Sequence, residues 1–531
     1  MAPSQVDANL DDNAAAAGLP ESRVLIIGTG GTICMQPGPD GLTPSDGFLD
    51  KALAPRLSFN DMSGLEVQLQ AFRNGKPVSL PSLRTPPTEY KRHIRYAVVE
   101  FDPLVDSSCI NASDWTAMAS IVHENYHLFD GFVILHGTDS LAYTASALSF
   151  HFANLGKPVI LTGSQAPIFA LHSDAVDNLR GSLIIAGTFV IPEVCLFFHH
   201  KLYRGNRTTK VSAASFEAFA SPNCDPLARV NGLGIDVNWP LVLRPTSIAG
   251  FQLEPPLDTT DVACLRVFPG IRAEMIDAVL RLPHLRGLIL ETFGMGNVPG
   301  GADGPLTSAM AAAVERGVVV VNVSQCVSGF ASPVYAPGTL LGRAGVIFGL
   351  DMTAEAALAK LSYLLAVRRD PPLQGREMAC LFGRSLRGEL TEPTLPTFTH
   401  PAPPLAAAAS LLTPLQAASA ALGYAIQADE PTAAATILNT DDGPSLLNMP
   451  DYAGNTPVHL AAVGGSSPIM LDLLSRGASV HVRNRANNSP LFLALLSGND
   501  DVARLLTSAG AHLSADERER GPLAKRTAVP P

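Results

Sequence analysis

The sequence lacks three features that would place it in other protein classes. It has seven cysteines in 531 residues, widely spaced and without a C-x-x-C pair, so we expect neither a disulfide framework nor a zinc knuckle. It has no apolar run of 18 residues, so we expect no membrane-spanning helix. Its N-terminus has neither a basic start nor a long apolar segment, so a secretory signal is not predicted. These absences together favour a cytoplasmic protein.

Positive charge is also scarce. The chain has 37 Lys and Arg residues against 48 Asp and Glu residues, which gives a net charge of −11. A mildly acidic surface binds nucleic acid phosphates poorly, so we expect no nucleic acid partner. Apolar residues are abundant, at 47% of the total. This share suits a large buried core and excludes wholesale disorder.

The order of apolar runs predicts an α/β catalytic region. Within residues 22–221, strand-like runs alternate with helix-like segments, including a strand at 131–137, a helix at 141–156 and a strand at 157–164. This alternation predicts a mostly parallel sheet that is buried on both faces. The ligand site of such a sheet lies at the carboxyl ends of its strands. A second α/β rhythm at 259–395 predicts a smaller domain.

A repeat of 33 residues marks the C-terminal module. Pro457 and Pro490 are separated by this step, and so are Gly477 and Gly510. The step is the ankyrin period, and N-T-P-V-H-L-A-A at 455–462 is close to the T-P-L-H-x-A pattern of that repeat. The sequence therefore indicates a protein-binding module whose partner it does not identify. The predicted division is a disordered tail at 1–21, an N-terminal catalytic domain at 22–221, a linker at 222–258, a C-terminal domain at 259–395, a Pro/Ala-rich hinge at 396–410, ankyrin repeats at 411–515 and a tail at 516–531.

Two glycine-containing motifs follow predicted strands. G-T-G-G-T-I at 28–33 is either a simple turn or a site in which Thr32 is a nucleophile beside backbone N–H groups. It is not a dinucleotide fingerprint, because Ile33 stands where the third glycine would be. H-G-T-D-S at 136–140 is either a helix N-cap or a second catalytic group formed by Thr138 and Asp139.

Three further polar segments also allow two interpretations. Y-R-G-N-R-T-T-K at 203–210 is either a solvated basic turn or the source of Lys210, an amine that could activate a hydroxyl when desolvated. D-S-S-C at 106–109 is either a helix cap or a site for a substrate carboxylate at Ser107. H-E-N-Y-H at 123–127 matches the zinc-hydrolase pattern, but no convincing third ligand follows it, so we predict no metal site.

Taken in order, T-G-G-T-I, D-S-S, H-G-T-D-S-L-A-Y and R-G-N-R-T-T-K resemble the motifs of cytosolic, type I L-asparaginases over residues 22–395. The added ankyrin repeats resemble a eukaryotic architecture of that family. The resemblance implies an α/β, two-domain asparaginase-like fold, with a larger N-terminal domain on a mostly parallel sheet and a smaller C-terminal α/β domain, followed by an α-helical ankyrin module. It also implies hydrolysis of L-asparagine to aspartate and ammonia without metal or organic cofactor, by a homodimer or homotetramer.

The resemblance implies seven site residues. The catalytic residues would be Thr32, Thr138, Asp139 and Lys210. The substrate-binding residues would be Asp106, Ser107, Ser108, Thr138 and Asp139. Thr32 would attack the side-chain amide and form a β-aspartyl ester, while the other catalytic residues relay protons. Asp139 would also pair with the α-ammonium of the substrate, and Ser107 with its α-carboxylate.

Two alternative functions remain open from the sequence. The same site could hydrolyse a broader set of amides, including glutamine, or a lysophospholipid. The chain could also be chiefly an interaction protein that works through its ankyrin surface and has reduced catalysis.

Overall fold

The structure is a computed structural model that describes most of the chain. The described residues are 19–38, 41–63, 67–244, 249–299, 304–332, 341–367, 373, 375–391, 413–451, 453–514, 517 and 518. The chain divides into two compact units, Met1–Glu392 and Pro393–Pro531. The predicted hinge at 396–410 and residues 1–18 of the predicted N-terminal tail lie outside the described residues.

The elements of the first unit are numbered in chain order. The strands are β1 (Glu21–Gly30), β2 (Met35–Gly38), β3 (Gly41–Pro44), β4 (Val67–Arg73), β5 (Lys76–Arg84), β6 (His93–Val105), β7 (Gly131–Leu135), β8 (Phe152–Ala153), β9 (Val159–Thr162), β10 (Val194–Phe198), β11 (Lys201–Arg204), β12 (Thr209–Lys210), β13 (Phe219–Ala220), β14 (Ala228–Asn231), β15 (Gly234–Val237), β16 (Gln252–Leu253), β17 (Val262–Arg266), β18 (Gly287–Thr292), β19 (Val319–Ser324) and β20 (Ile347–Phe348). The α-helices are α1 (Ala112–Asn125), α2 (Leu141–His151), α3 (Ala175–Thr188), α4 (Ala273–Leu280), α5 (Pro305–Glu315), α6 (Ala354–Ala366) and α7 (Gly375–Phe382).

Five parallel strands form the centre of the large sheet, whose order is β15-β14-β11-β10-β9-β7-β1-β6-β5-β4. β1 pairs in parallel with β6 and β7, and β9 and β10 continue the parallel run. Every residue of β7 and β10 is buried, as expected of strands that are covered on both faces. The flanking strands are antiparallel. The predicted parallel arrangement is therefore confirmed for the centre, and the complete sheet is mixed.

Alternate residues of the central strands point into two separate apolar cores. Ile26 of β1 packs in a cluster with Leu183 of α3, whereas its neighbour Leu25 packs with Met118 of α1 and Leu148 of α2. Burial of a side chain of this size stabilises the fold by roughly 1.5–3 kcal/mol. The two cores hold the sheet between layers of helices and so fix the position of its carboxyl edge.

Two predicted boundaries differ from the structure. The helix predicted at 141–156 ends at His151, because the chain continues into β8, which pairs with β16. The linker predicted at 222–258 is partly folded, since β14 and β15 extend the large sheet as an antiparallel hairpin. Its proline content suggested an irregular chain, but Leu227 and Ala228 are buried. Tertiary burial outweighs local composition here.

A smaller sheet in the first unit is entirely parallel, with the order β17-β18-β19-β20. One core includes Ile276 of α4 and Met310 of α5. The other includes Leu361 of α6 and Phe382 of α7. The expected smaller α/β layer is therefore present, and we refer to it as the small-sheet domain.

The described part of the second unit is built from α-helices of 4 to 14 residues. They are α8 (Pro414–Gln427), α9 (Pro431–Leu438), α10 (Gly443–Leu446), α11 (Pro457–Gly464), α12 (Ser467–Ser475), α13 (Pro490–Leu496) and α14 (Asp500–Ser508). α11 and α13 begin with the two prolines that the 33-residue repeat relates. At the start of α11, the N–H of Thr456 donates to Nδ1 of His459, which closes a capping box.

The folded part of the second unit extends past residue 515, where the tail was predicted to begin. Glu517 is fully buried. Its carboxylate accepts hydrogen bonds from the N–H groups of Ser489 and Ser514 and pairs with Arg483. Among the described residues, no helix is both long and apolar enough to cross a membrane.

Candidate active site

Three chain segments meet at the carboxyl ends of the central parallel strands. The loop after β1 contains Gly30 and Gly31, with φ angles of 130° and 83°, which glycine adopts without strain. A Cβ atom on Gly31 would lie 2.3 Å from the backbone nitrogen of Gly137, in the loop after β7. A Cβ atom on Gly30 would lie 2.2 Å from the carbonyl oxygen of Val105, where β6 ends. These backbone contacts bring the motifs at 28–33, 106–109 and 136–140 together.

The amine of Lys210 joins two of the predicted catalytic side chains. Its Nζ donates to Oγ1 of Thr138 at 2.9 Å and to Oδ1 of Asp139 at 2.8 Å. Thr138 is buried, whereas the side chain of Asp139 is 67% exposed. The amine therefore bridges a buried hydroxyl and a carboxylate that is open to a ligand.

Gln165, which the motif analysis did not select, is a second partner of Thr138. Oγ1 of Thr138 donates to Oε1 of Gln165 at 3.2 Å, and Nε2 of Gln165 donates to the carbonyl of Ser215 at 3.2 Å. Asp174 accepts the backbone N–H of Gln165. These contacts require the amide oxygen to face Thr138. The hydroxyl proton of Thr138 therefore points to Gln165, and a lone pair points to the amine of Lys210.

Ser107 packs directly against the loop after β7. It is 4% exposed, and its Oγ would lie 2.4 Å from a Cβ atom on Gly137. The hydroxyl of Ser140 donates to the carbonyl of Ser107 at 2.5 Å and so ties the two loops together. Ser140 does not cap α2 with its side chain, and Asp139 binds the Lys210 amine instead. The helix-cap interpretation of H-G-T-D-S is therefore wrong.

Asp106 and Ser108 shape the turn in which Ser107 lies. Oδ1 of Asp106 accepts hydrogen bonds from the hydroxyl of Ser108 at 2.6 Å and from its N–H at 2.8 Å. These two bonds hold the pKa of the Asp106 carboxyl below its ordinary value. The following helix α1 is capped by Asn111, in a capping box with Asp114. D-S-S-C is therefore a separate anionic turn rather than the cap of α1.

A buried hydrogen-bond chain orients the peptide group before Thr138. Nδ1 of His136 lies 2.7 Å from the carbonyl oxygen of Gly137, and Nε2 lies 3.0 Å from Oγ1 of Thr144. A carbonyl only accepts, so Nδ1 carries the proton and Nε2 accepts from Thr144. Nε1 of Trp115 in turn donates to Oγ1 of Thr144 at 2.9 Å. Burial lowers the pKa of His136 to about 4, so the ring is neutral and the direction of the chain is fixed.

Thr32 follows the glycine contact on the loop after β1. It is half-buried and begins a short 3₁₀ turn. Thr29 has a structural role, because its hydroxyl donates to the carbonyl of Leu135 at 2.9 Å. Sγ of Cys34 donates to the carbonyl of Gly31 at 3.2 Å, and burial raises the pKa of this thiol to about 11. Cys34 therefore stays protonated and offers no thiolate to compete with Thr32.

The basic segment before Lys210 is buried. Arg207 is 3% exposed and pairs with both carboxylate oxygens of Asp351, at 2.7 and 3.0 Å. Arg204 is 6% exposed and pairs with Glu193. The interpretation of this segment as a solvated basic turn is therefore wrong, and its contact with Asp351 links it to the small-sheet domain.

The zinc-hydrolase motif does not form the helix that such a site requires. α1 ends at Asn125, so His127 lies beyond the helix that carries His123. The adjacent pair His199 and His200 lies in the turn between β10 and β11, with both φ angles positive. Among the described residues, no group of three or more His, Cys, Asp or Glu side chains could hold a metal ion.

Comparison with known proteins identifies the family of the chain. A family model described as asparaginase, N-terminal, matches residues 23–243, and one described as glutaminase/asparaginase C-terminal domain matches 261–374. The 60 kDa lysophospholipase of Mus musculus is 40% identical over 471 residues, which are 86% of this chain and 79% of that protein. The chain belongs to the asparaginase family. A three-copy ankyrin-repeat model matches residues 413–517 beyond the asparaginase region.

Relatives of the asparaginase family occur with and without this additional region. The L-asparaginase of Dirofilaria immitis is 35% identical over 511 residues, covering 94% of this chain and 84% of that protein. L-asparaginase 1 of Escherichia coli strain K12 is 39% identical over 372 residues, covering 70% of this chain and 98% of that protein. The crystal structure of L-asparaginase I from Vibrio cholerae matches with a TM-score of 0.57 and 40% identity, over 70% of this chain and 99% of that one. The asparaginase region alone therefore accounts for nearly all of the two bacterial proteins.

The motif analysis located the site loops but missed the residues that orient them. Gln165 lies just after β9, and its place at the carboxyl end of a parallel strand was a signal that could have identified it. His136 stands at the head of a motif that was already selected. Glu355 accepts a hydrogen bond from Thr209, on the strand that ends in Lys210. It lies in the small-sheet domain, and no local sequence pattern identifies it as part of the site.

Proposed function

We propose that this asparaginase-family member hydrolyses L-asparagine to L-aspartate and ammonia. The observation that carries the proposal is the amine of Lys210, which donates to Thr138 and Asp139 beside the loop of Thr32. A hydroxyl nucleophile needs a base, and a tetrahedral oxyanion needs fixed donors. The relatives named L-asparaginase in Dirofilaria immitis and Escherichia coli support the same activity.

In the proposed reaction, the hydroxyl of Thr32 attacks the side-chain amide carbon, and its proton passes towards Thr138 and Lys210. Lys210 can accept this proton only as a neutral amine. The oxyanion is bound by backbone N–H groups of the glycine loop and of the Gly137–Thr138 turn, each worth roughly 3–4 kcal/mol. The proton taken from Thr32 is passed on to the amide nitrogen, so ammonia leaves and a β-aspartyl ester remains on Thr32. Water activated by Thr138 and Lys210 hydrolyses this ester.

The substrate head group fits the charges of the proposed site. The exposed carboxylate of Asp139 is placed to pair with the α-ammonium. The α-carboxylate is assigned to Ser107 and the adjacent Ser108, in the turn that Asp106 holds. This arrangement selects a small zwitterion by its two charges.

The test is release of ammonia and aspartate from L-asparagine by the purified chain. Thr32→Ala and Thr138→Ala should each lower kcat at least ~10³-fold, because each removes a group in covalent or proton-transfer chemistry. Thr116→Ala is the matched control, since its hydroxyl donates to the carbonyl of Ala112 within α1. Near-normal turnover in either site variant would show that the assigned role is wrong. Intact-mass spectrometry of enzyme quenched during turnover should detect an aspartyl adduct on the wild type and none on Thr32→Ala.

A second candidate is hydrolysis of lysophospholipids or of other amides at the same site. It is favoured by the name of the Mus musculus relative, 60 kDa lysophospholipase. Comparison of kcat/KM for L-asparagine, L-glutamine and a lysophosphatidylcholine decides between these substrates. A higher value for the lipid would replace the leading proposal.

We further propose that the ankyrin repeats bind a protein partner, and that the enzyme is a cytoplasmic homodimer or homotetramer. Deletion of residues 396–531 should leave asparagine turnover unchanged and abolish capture of that partner. Turnover lost with the deletion would instead make the repeats part of the catalytic assembly. Analytical ultracentrifugation of the intact chain tests the oligomeric state.

A further inference from the structure

The strand that carries Lys210 is too short to hold the amine in place by itself. β12 has two residues, which pair with Phe219 and Ala220. The three residues Gly205–Arg207 form a single 3₁₀ turn. Isolated pairs of such short strands are marginally stable. Other contacts must therefore keep Nζ of Lys210 within hydrogen-bond distance of two side chains on another loop.

Those contacts come from the small-sheet domain. Nδ2 of Asn206 donates to the carbonyl of Arg387 at 2.9 Å. Nη1 of Arg207 donates to the carbonyl of Glu389 at 2.8 Å, in addition to its pairing with Asp351. The segment before Lys210 is thus attached to residues that follow it by 144 to 182 positions.

The contact nearest to Lys210 is made by Thr209 and Glu355. The hydroxyl of Thr209 donates to Oε1 of Glu355 at 2.7 Å. Glu355 is 8% exposed and lies in the first turn of α6, where the helix dipole favours an acceptor oxygen. Burial raises the pKa of Glu355, while the hydrogen bond from Thr209 opposes that change. A buried acceptor is fixed more firmly than an exposed one, because an unmet hydrogen bond is costly there.

The helix that carries Glu355, α6, packs against α2, which follows Asp139. Burial, and then the charge of Glu355, raise the pKa of Tyr143 in the first turn of α2 to about 12. Glu355 therefore stands on a helix that contacts both the strand ending in Lys210, through Thr209, and the helix that begins just after Asp139. This helix fixes the spacing of the two elements that the Lys210 amine connects.

We propose that Glu355 is a positioning residue, which acts through the hydroxyl of Thr209 to hold the Lys210 amine against Thr138 and Asp139. This inference rests on the proposed amidohydrolase function for its kinetic consequences. It assigns the small-sheet domain a part in catalysis without any contact with the substrate.

Four variants test the inference by steady-state kinetics. Thr209→Val removes the donor at nearly constant volume and should lower kcat at least tenfold, with a smaller change in KM. Glu355→Ala should have the same effect, whereas Glu355→Gln keeps an acceptor oxygen and should remain within threefold of the wild type. Thr208→Val is the matched control, because its buried hydroxyl donates to the carbonyl of Arg204 within the same segment. It should also remain within threefold.

A double-mutant cycle separates positioning from general destabilisation. In a Lys210→Met background, Thr209→Val should cause no further loss of residual turnover, because the group that it positions has gone. Equal fold-losses with and without the amine would overturn the inference. So would a normal kcat in both Thr209→Val and Glu355→Ala.

The chemical reactivity of the Lys210 amine tests the inference without any substrate. Reductive methylation of the folded intact chain, followed by peptide mass spectrometry, measures the reactivity of Lys210 relative to that of Lys157. Lys210 should react at least threefold faster in Thr209→Val and Glu355→Ala than in the wild type, Thr208→Val or Glu355→Gln. Unchanged labelling would overturn the inference. If the wild type released no ammonia, the proposed function would fail, yet the labelling would still decide how Lys210 is held.

Discussion

In each unit of the chain a threonine hydroxyl donates to a buried histidine, but the two imidazole rings have opposite tautomers. In the first unit, Nδ1 of His136 donates to the carbonyl of Gly137 and Nε2 accepts from Thr144. In the second unit, Nδ1 of His459 accepts from Thr456, and Nε2 donates to the carbonyl of Asn488 at 3.2 Å. The neighbouring carbonyl selects the tautomer in both cases.

The difference lies in what each pair holds. His459 closes the first turn of α11 and reaches the next repeat, so it joins two structural modules of the same kind. His136 fixes a peptide group whose other end is Thr138, so it joins the buried core to the proposed catalytic loop. The same hydrogen-bonding chemistry therefore joins two structural repeats in one unit and orients the proposed catalytic loop in the other.

The largest expected effect is on turnover. His136→Phe removes the donor to Gly137 and should lower kcat/KM for L-asparagine about 100-fold, since a small misplacement at a reacting group has effects of that size. His459→Phe should leave kcat unchanged in the same assay. A loss of turnover in His459→Phe comparable to that of His136→Phe would remove the functional distinction between the two pairs.

As the pH falls, the first unit should lose the stabilising contribution of its buried histidines at a higher pH than the second unit loses the contribution of Glu517. The folded-state pKa values of His136 and His151 are lowered by burial to about 4, so the unfolded chain binds more protons below pH 6.5. Their contribution is complete above pH 6.5 and is lost as the pH falls to 4, by about 3 kcal/mol for a group such as His136. Hydrogen bonds lower the pKa of Glu517 to about 2, so its contribution is present above pH 4.5 and lost towards pH 2.

Calorimetry of the intact chain between pH 7 and 4 checks this order. The transition of the first unit should fall more steeply than that of the second, although the lowered pKa of His459 adds a change in the same direction there. His136→Phe should flatten the pH dependence of the first transition. An equally steep dependence in that variant would mean that other groups control acid stability.

A smaller effect is expected when the second pair is removed. His459→Ala leaves the N–H of Thr456 and the carbonyl of Asn488 without their partner and should destabilise the second unit by about 1–2 kcal/mol. Hydrogen exchange followed by mass spectrometry should show faster exchange in α11 and α13. The exchange rate in the large sheet should not change. Faster exchange spread over both units would contradict the division of the chain.

The smallest effect on turnover is expected at Trp115, the far end of the buried hydrogen-bond chain from His136. Trp115→Phe removes the donor to Thr144, whose hydroxyl still serves His136. We expect kcat to change less than threefold and the free energy of unfolding to fall by about 1 kcal/mol, the usual value of one hydrogen bond. A tenfold loss of kcat would show that the full length of the chain controls the loop.

These two histidines also show what the sequence could predict. His459 lies three residues after Thr456 and within a 33-residue repeat, so its capping role follows from local spacing. The hydrogen-bond chain of His136 runs from the loop after β7 to α2 and then to α1. No local pattern brings Trp115 and Thr144 together. The fold class and the loops of the proposed site were predictable because strand-end motifs are local. The orientation of Gln165 and the attachment of Lys210 depend on long-range contacts and were not.

The ion pair between Arg207 and Asp351 has a consequence for biosynthesis. The two residues are separated by 144 positions. At translation rates of 5–20 residues per second, Arg207 is synthesised roughly 7–30 s before its partner. During that interval Arg207 has no Asp351 carboxylate to pair with. The nascent chain can therefore form the centre of its large sheet before the small-sheet domain attaches to the Lys210 segment, and the proposed site is completed late in the synthesis of the asparaginase region.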